Sequence, residues 1–368
     1  MIKIAYLVST LKRCGPINGM YNIIKHLNKE KYQIFIITLS KEGSNTRIDD
    51  FIKLECEIVP IENGRLSGYL LNPLKVKKIL QEKKIDLIHS RGIRGDLILE
   101  KLDLKISFSS VHNDMKKDYI NTYGWFIGNV LIYFHLKALK KIKNKVACSS
   151  SLAKKYAEYG IDMNFIPNGV DTQTFNKKNY DKTKLRKKLT LPMSTIFIYT
   201  GNIVKGKNIV FILNYFFENS DKNDVLVLVG EGEEKKLYEE KYKSPKIYFL
   251  GHKTNIVEYL AASDYYISAS YSEGMPNSVL EAMSMGLPCF LSDIDQHKEV
   301  VRTSKELQNL VFRNDDSLDL SNRIIKTKKD EYSMLSEIAQ EIAEKKFSSQ
   351  SMSQLYECEY KKILETSI

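Results

Sequence analysis

The sequence lacks several features that would decide its class at once. Its five cysteines, Cys14, Cys56, Cys148, Cys289 and Cys358, are odd in number and show no Cys-x-x-Cys spacing, which argues against a disulfide framework and against a cysteine-ligated zinc site. No stretch reaches the 18 or more apolar residues of a membrane-spanning helix. The opening run from Met1 to Ser9 is too short for a secretory core and carries no cleavage pattern, so it is expected to be a first buried strand. A reducing, cytoplasmic setting is the simplest expectation. No internal repeat and no low-complexity segment is present.

What is there suits a two-domain α/β protein. The 368 residues, 43% of them hydrophobic, exceed one ordinary core. Charge is uneven: residues 1–180 hold 30 Lys and Arg against 17 Asp and Glu, whereas the remainder holds 26 against 28. A basic first half implies an anionic partner, whether nucleic acid, anionic lipid or a phosphate-bearing acceptor, and a solvated lysine-rich surface accounts for it equally well. No basic and aromatic motif of a nucleic-acid module accompanies the charge, so nucleic acid is not expected.

Short β-rich runs alternate with helical patterns, as in parallel sheets. The first series is Ile2–Val8, Gln33–Leu39, Ile85–His89, Ile106–Val111 and Lys145–Cys148. The second is Thr195–Thr200, Val225–Val229, Lys246–Leu250, Tyr265–Ala269, Cys289–Ser292 and Leu310–Arg313. Two Rossmann-like domains are expected, over 1–176 and 195–345, joined by a polar linker over 177–194, with a helix over 346–368.

The richest segment is Ser272-Glu273-Gly274-Met275-Pro276-Asn277-Ser278-Val279-Leu280-Glu281-Ala282. Gly274 and Pro276 make a turn, Asn277 is a good N-cap, and a helix is expected to Met285, ended by Gly286 and Pro288. Glu273 then lies on the loop and Glu281 one turn into the helix, with the amides of 278–280 between them. Acceptors at both ends and donors in the middle match a nucleoside diphosphate sugar, with hydroxyls at its ends and anions in its middle. Glutamate in a first helical turn is also ordinary capping chemistry, so spacing alone is weak.

Other segments fit the same chemistry. Gly201-Asn202-Ile203-Val204-Lys205-Gly206-Lys207 follows a strand and puts glycines and a lysine point charge at a turn suited to phosphate. Gly15-Pro16-Ile17-Asn18-Gly19 opens the first helix, where glycines allow a ligand close approach, although a tight turn without ligand explains them as well. His112 ends a strand on the crevice side of an open sheet, and His89 is a weaker candidate of the same kind. The run Tyr123-Gly124-Trp125-Phe126-Ile127 through Leu136, followed by lysines, reads either as a core helix with a basic end or as an interfacial membrane helix.

In this order, the segments closely resemble the family 4 retaining glycosyltransferases of GT-B fold. The resemblance implies two Rossmann-like domains facing across a cleft, with the C-terminal helix crossing back to the first. It implies a retaining, metal-independent transfer from a nucleotide sugar, a UDP-sugar above all, to a hydroxyl of a glycan or lipid-linked glycan at the cytoplasmic membrane face; no Asp-x-Asp motif stands in a fitting place. By position, Glu281 is implied to hold the ribose, and Glu273 with the amides near Gly274, Met275, Pro276 and Asn277 the donor sugar, with Ser278 and Val279 also among the donor-binding residues. Lys207, Gly201 and Asn202 are implied at the diphosphate, His112 at the sugar, and Gly15 and Gly19 over the phosphates. Asn202 stands where the family has arginine, which exchanges a bidentate cation for one neutral donor unless Lys205 compensates. A nucleotide-sugar epimerase and a non-catalytic partner protein of the same fold are the rival readings.

Overall fold

A computed structural model of the chain describes residues 1–61 and 65–367. Two compact units are present: residues 1–169 with 349–368, and residues 170–348.

The first unit is a seven-stranded parallel sheet built from β1 (Ile2–Val8), β2 (Tyr32–Thr38), β3 (Glu57–Pro60), β4 (Leu87–Ser90), β5 (Ser107–Val111), β6 (Asn144–Ala147) and β7 (Asn164–Phe165), in the order 3-2-1-4-5-6-7. β1 is fully apolar from Ile4 to Val8 and buried on both faces, as a central parallel strand must be. β3 and β7 escape sequence reading because one carries Pro60 at the sheet edge and the other is two residues long.

The second unit is a six-stranded parallel sheet of β8 (Thr195–Thr200), β9 (Asp224–Val229), β10 (Ile247–Gly251), β11 (Tyr265–Ser268), β12 (Cys289–Ser292) and β13 (Val311–Phe312), ordered 10-9-8-11-12-13. In each sheet the strand order reverses once, between β1 and β4 and between β8 and β11. Open parallel sheets bind ligands beyond the carboxyl ends of the strands at such a reversal.

The helix Ser349–Ser367 belongs to the first unit, as expected for a C-terminal helix that returns. Met352, Tyr356, Tyr360 and Ile363 join a core with Ile4, Tyr6, Met20 and Ile23. Polar pins fix its register: Tyr360 OH lies 2.7 Å from Tyr6 OH, the Ser353 hydroxyl donates to the Ile23 carbonyl, and Ser349 Oγ lies 2.8 Å from His26 Nε2.

The stretch 177–194, expected as a linker, is built into the second unit. It holds the helix Lys182–Lys188, capped by the Asp181 side chain. Buried Arg186 donates to Asp264 at 2.6 Å and to the Ala262 carbonyl at 2.8 Å. A run of lysines hid this anchoring arginine, because its partners lie some eighty residues away.

Candidate active site

At the reversal of the second sheet, the loop after β8 brings Lys207 against the loop after β11. Lys207 Nζ lies 2.5 Å from Glu273 Oε1, with the two side chains 27% and 14% exposed. Burial pushes the Glu273 carboxyl up, but the Lys207 charge and the neighbouring His297, with hydrogen bonds from Lys207 and Ser270, outweigh it and hold the group below the ordinary glutamate range. Glu273 is therefore an anion at neutral pH.

The glycines here permit close backbone approach. A Cβ at Gly230, after β9, would sit 1.8 Å from the Gly201 carbonyl oxygen, and Gly201 itself has φ of 147°. Asn202 is exposed, and its carbonyl accepts from Tyr199 OH at 2.8 Å. Lys205 is likewise exposed and lies in the same 3-10 turn as Lys207.

The helix after Glu273 runs Asn277–Ser284, with Met285 and Gly286 ending it. Two details differ from expectation. Pro276, not Asn277, occupies the cap position, and Asn277 is the first helical residue, because proline's restricted φ leads directly into the helix. The amides of Val279 and Leu280, expected as open donors, both donate to the Pro276 carbonyl at 3.0 and 3.2 Å. Met275 and Val279 are buried, so their side chains pack in the core and do not face solvent. Ser278 Oγ accepts from Tyr266 OH.

Glu281 is partly buried, and its carboxyl has no ion pair or side-chain hydrogen bond among the described residues. Burial pushes it up to about 7. A carboxylate in that state gains most from a ligand that donates hydroxyl protons to it.

In the first unit, Gly15 starts the twelve-residue helix Gly15–His26, with no side-chain cap and no acidic residue in its first turn. A Cβ at Gly19 would touch Arg91 Nη2 at 3.4 Å, and that same nitrogen donates to the Pro16 carbonyl at 3.1 Å. His112 follows β5; its Nε2 lies 3.0 Å from Ser110 Oγ, and its Nδ1 is buried without a partner among the described residues. Burial and then the Arg91 charge hold His112 well below the ordinary histidine range, so it is neutral. His89 is fully buried between Tyr360 OH (2.9 Å) and Ser110 Oγ (2.8 Å). It is a core histidine that orients Ser110 toward His112.

Two family models match, "Glycosyltransferase Family 4" over residues 15–174 and "Glycosyl transferases group 1" over 181–346. The chain belongs to family 4 of the glycosyltransferases. Among similar proteins, the O-antigen biosynthesis glycosyltransferase WclY of Escherichia coli is 27% identical over 309 residues, covering 80% of each chain. A UDP-Gal:α-D-GlcNAc-diphosphoundecaprenol α-1,3-galactosyltransferase of Escherichia coli is 26% identical over 301 residues, 75% of each. Anabaena HepE, solved with UDP and glucose, superposes with a TM-score of 0.81 at 17% identity, covering 98% of this chain and 100% of that one, which establishes the GT-B fold.

Sequence reading of this glycosyltransferase missed Arg91 and His297. Arg91 directly follows β4 at the reversal of the first sheet, and its Nε and Nη1 are buried without hydrogen-bond partners among the described residues. His297 is fully buried beside Glu273, with Nδ1 3.0 Å from Ser292 Oγ, and burial pulls it down to about 4. A signal existed for the first only: charge at a strand's carboxyl end next to Gly92.

Proposed function

We propose that this glycosyltransferase moves a sugar from a UDP-sugar to a hydroxyl of a lipid-linked glycan, with retention of anomeric configuration and without a metal ion, in surface-polysaccharide synthesis at the cytoplasmic membrane face. The carrying observation is the ion pair of Lys207 with Glu273 at the reversal of the second sheet. Lys207 supplies a fixed cation for the diphosphate. Glu273, kept ionised by it, accepts hydrogen bonds from the donor sugar, and Glu281 accepts from the ribose diol. In the first unit, neutral His112 can donate or accept a hydrogen bond without adding charge. Such groups act by placing and stabilising charge as the leaving diphosphate develops it.

The acceptor class is supported by the relative named for a diphosphoundecaprenol-linked substrate. The donor base is supported by the UDP bound in HepE. The test is calorimetric binding and slow hydrolysis across UDP-, GDP- and ADP-sugars, with Glu281→Ala as control. Selective UDP-sugar binding and hydrolysis, both lost in the variant, are expected. Binding of no donor overturns the assignment.

A further inference from the structure

The segment Met115–Lys141 is helical on both sides of Gly124, whose φ of 76° and ψ of 172° interrupt it. In an unbroken helix residues 119 and 135 would stand about 24 Å apart. Instead Tyr119 OH lies 2.7 Å from His135 Nδ1 and their rings stack. A Cβ at Gly128 would fall 2.9 Å from Ile120 Cα. The chain therefore turns back on itself at Gly124 as a helical hairpin. His135 Nε2 also lies 2.8 Å from Asp96 Oδ2, and Asp96 accepts from the Ser90 hydroxyl, which ties the hairpin through a buried network to the end of β4.

The core-helix reading of this run holds for one stripe only, where Gly128, Ile132, His135 and Leu139 are buried. The tip and the opposite stripe are bare: Trp125 is 72% exposed, Phe126 74%, Ile127 56% and Tyr133 64%, with Val130 and Phe134 beside them. Folded proteins rarely leave so many large apolar side chains together in water unless something covers them. Lysines flank the apolar patch on both limbs. Residues 115–143 hold Lys116, Lys117, Lys137, Lys140, Lys141 and Lys143 against one acid, Asp118. Tryptophan and phenylalanine at a tip, with cations set back from it, fit an anionic bilayer, where aromatic rings settle at headgroup depth and lysines reach lipid phosphates. Lys141 pairs with Glu100 at 2.7 Å and Lys116 lies over the Tyr159 ring, but a protein partner covering the rings leaves Lys117, Lys137, Lys140 and Lys143 on the two limbs without an account.

We propose that the hairpin tip Tyr123–Ile127 inserts into the interface of an anionic bilayer, with Trp125 and Phe126 as the buried anchors. The partner named here rests on the lipid-linked acceptor proposed above. Rigid attachment to β4 then fixes how the first unit meets the membrane.

Trp125 is the chain's single tryptophan, so its fluorescence reports on the tip alone. The full chain is mixed at low salt with phosphatidylcholine vesicles in which about a third of the lipid is, or is not, replaced by phosphatidylglycerol. Expected are co-sedimentation, a blue shift and quenching by lipids brominated near the headgroup, only with the anionic vesicles. Phe126→Ser is expected to weaken binding roughly tenfold or more, and Trp125→Ser combined with Phe126→Ser to abolish it. Circular dichroism and UDP-sugar hydrolysis without lipid should stay unchanged in both variants. Anionic-vesicle binding without a change in Trp125 emission overturns the proposal, as does a blue shift caused by self-association without lipid. Loss of donor binding with vesicle insertion intact would overturn the enzymatic reading alone.

Discussion

Lys207 and Glu273, 66 residues apart in the chain, meet at 2.5 Å because β8 and β11 are neighbours in the sheet and both end at its reversal. Replacing Lys207 with Met leaves Glu273 with its burial uncompensated, so its carboxyl should rise, and stability at neutral pH should fall by about 1–3 kcal/mol. Because pairing depresses the Glu273 value, this contribution is present above the ordinary glutamate range and is lost as the pH falls through the folded value. Denaturant unfolding of Lys207→Met, Glu273→Gln and the double variant checks it: the double variant should lose less than the two singles together.

Glu281 gives the opposite pH dependence. Its folded value of about 7 lies above the ordinary 4.5, so folding favours the protonated form and stability falls as the pH rises through that window. Glu281→Gln should therefore be more stable than the parent at pH 8, by roughly 1–2 kcal/mol, and equal to it near pH 4. If Glu281 holds the ribose as an anion, donor affinity of the parent should drop about tenfold per pH unit below 7. Calorimetric titration between pH 5.5 and 8 reads both the parent's slope and its absence in the variant.

Asn202→Arg restores a guanidinium to an exposed turn without disturbing packing, since only the Asn202 carbonyl is engaged. The expected gain in kcat/KM is about tenfold, the worth of one charge-assisted contact over a neutral one. Unchanged kinetics would mean that Lys205 or another cation already fills the role.

His112 should stay neutral across the working range, so activity between pH 6 and 8 should carry no inflection from it. Arg91→Met removes the second cause of its depression, and the His112 titration followed by NMR should move upward while remaining below the ordinary value, because burial, the larger cause, persists.

The alternation of apolar runs and the punctuation by Gly274, Pro276, Gly286 and Pro288 made both sheets and the site helix legible, since strand burial and helix ends are local properties. The Glu273-x7-Glu281 spacing and Lys207 stand in the sequence itself, and their local setting was readable because Glu273 and Lys207 lie on short turns and Glu281 on the helix that follows. Cap identity at Pro276 was missed, as proline and asparagine both suit a helix start and only backbone angles separate them. The tertiary structure alone decided which charges pair. Arg186 with Asp264, Lys207 with Glu273 and the chain from Tyr360 through His89 and Ser110 to His112 join residues from helices, loops and strands far apart in the sequence, and sheet order is not a local property. It also decided that Gly124 turns a helix back and leaves Trp125 in water, where the apolar run by itself allowed burial, because which stripe of a helix is covered depends on what packs against it.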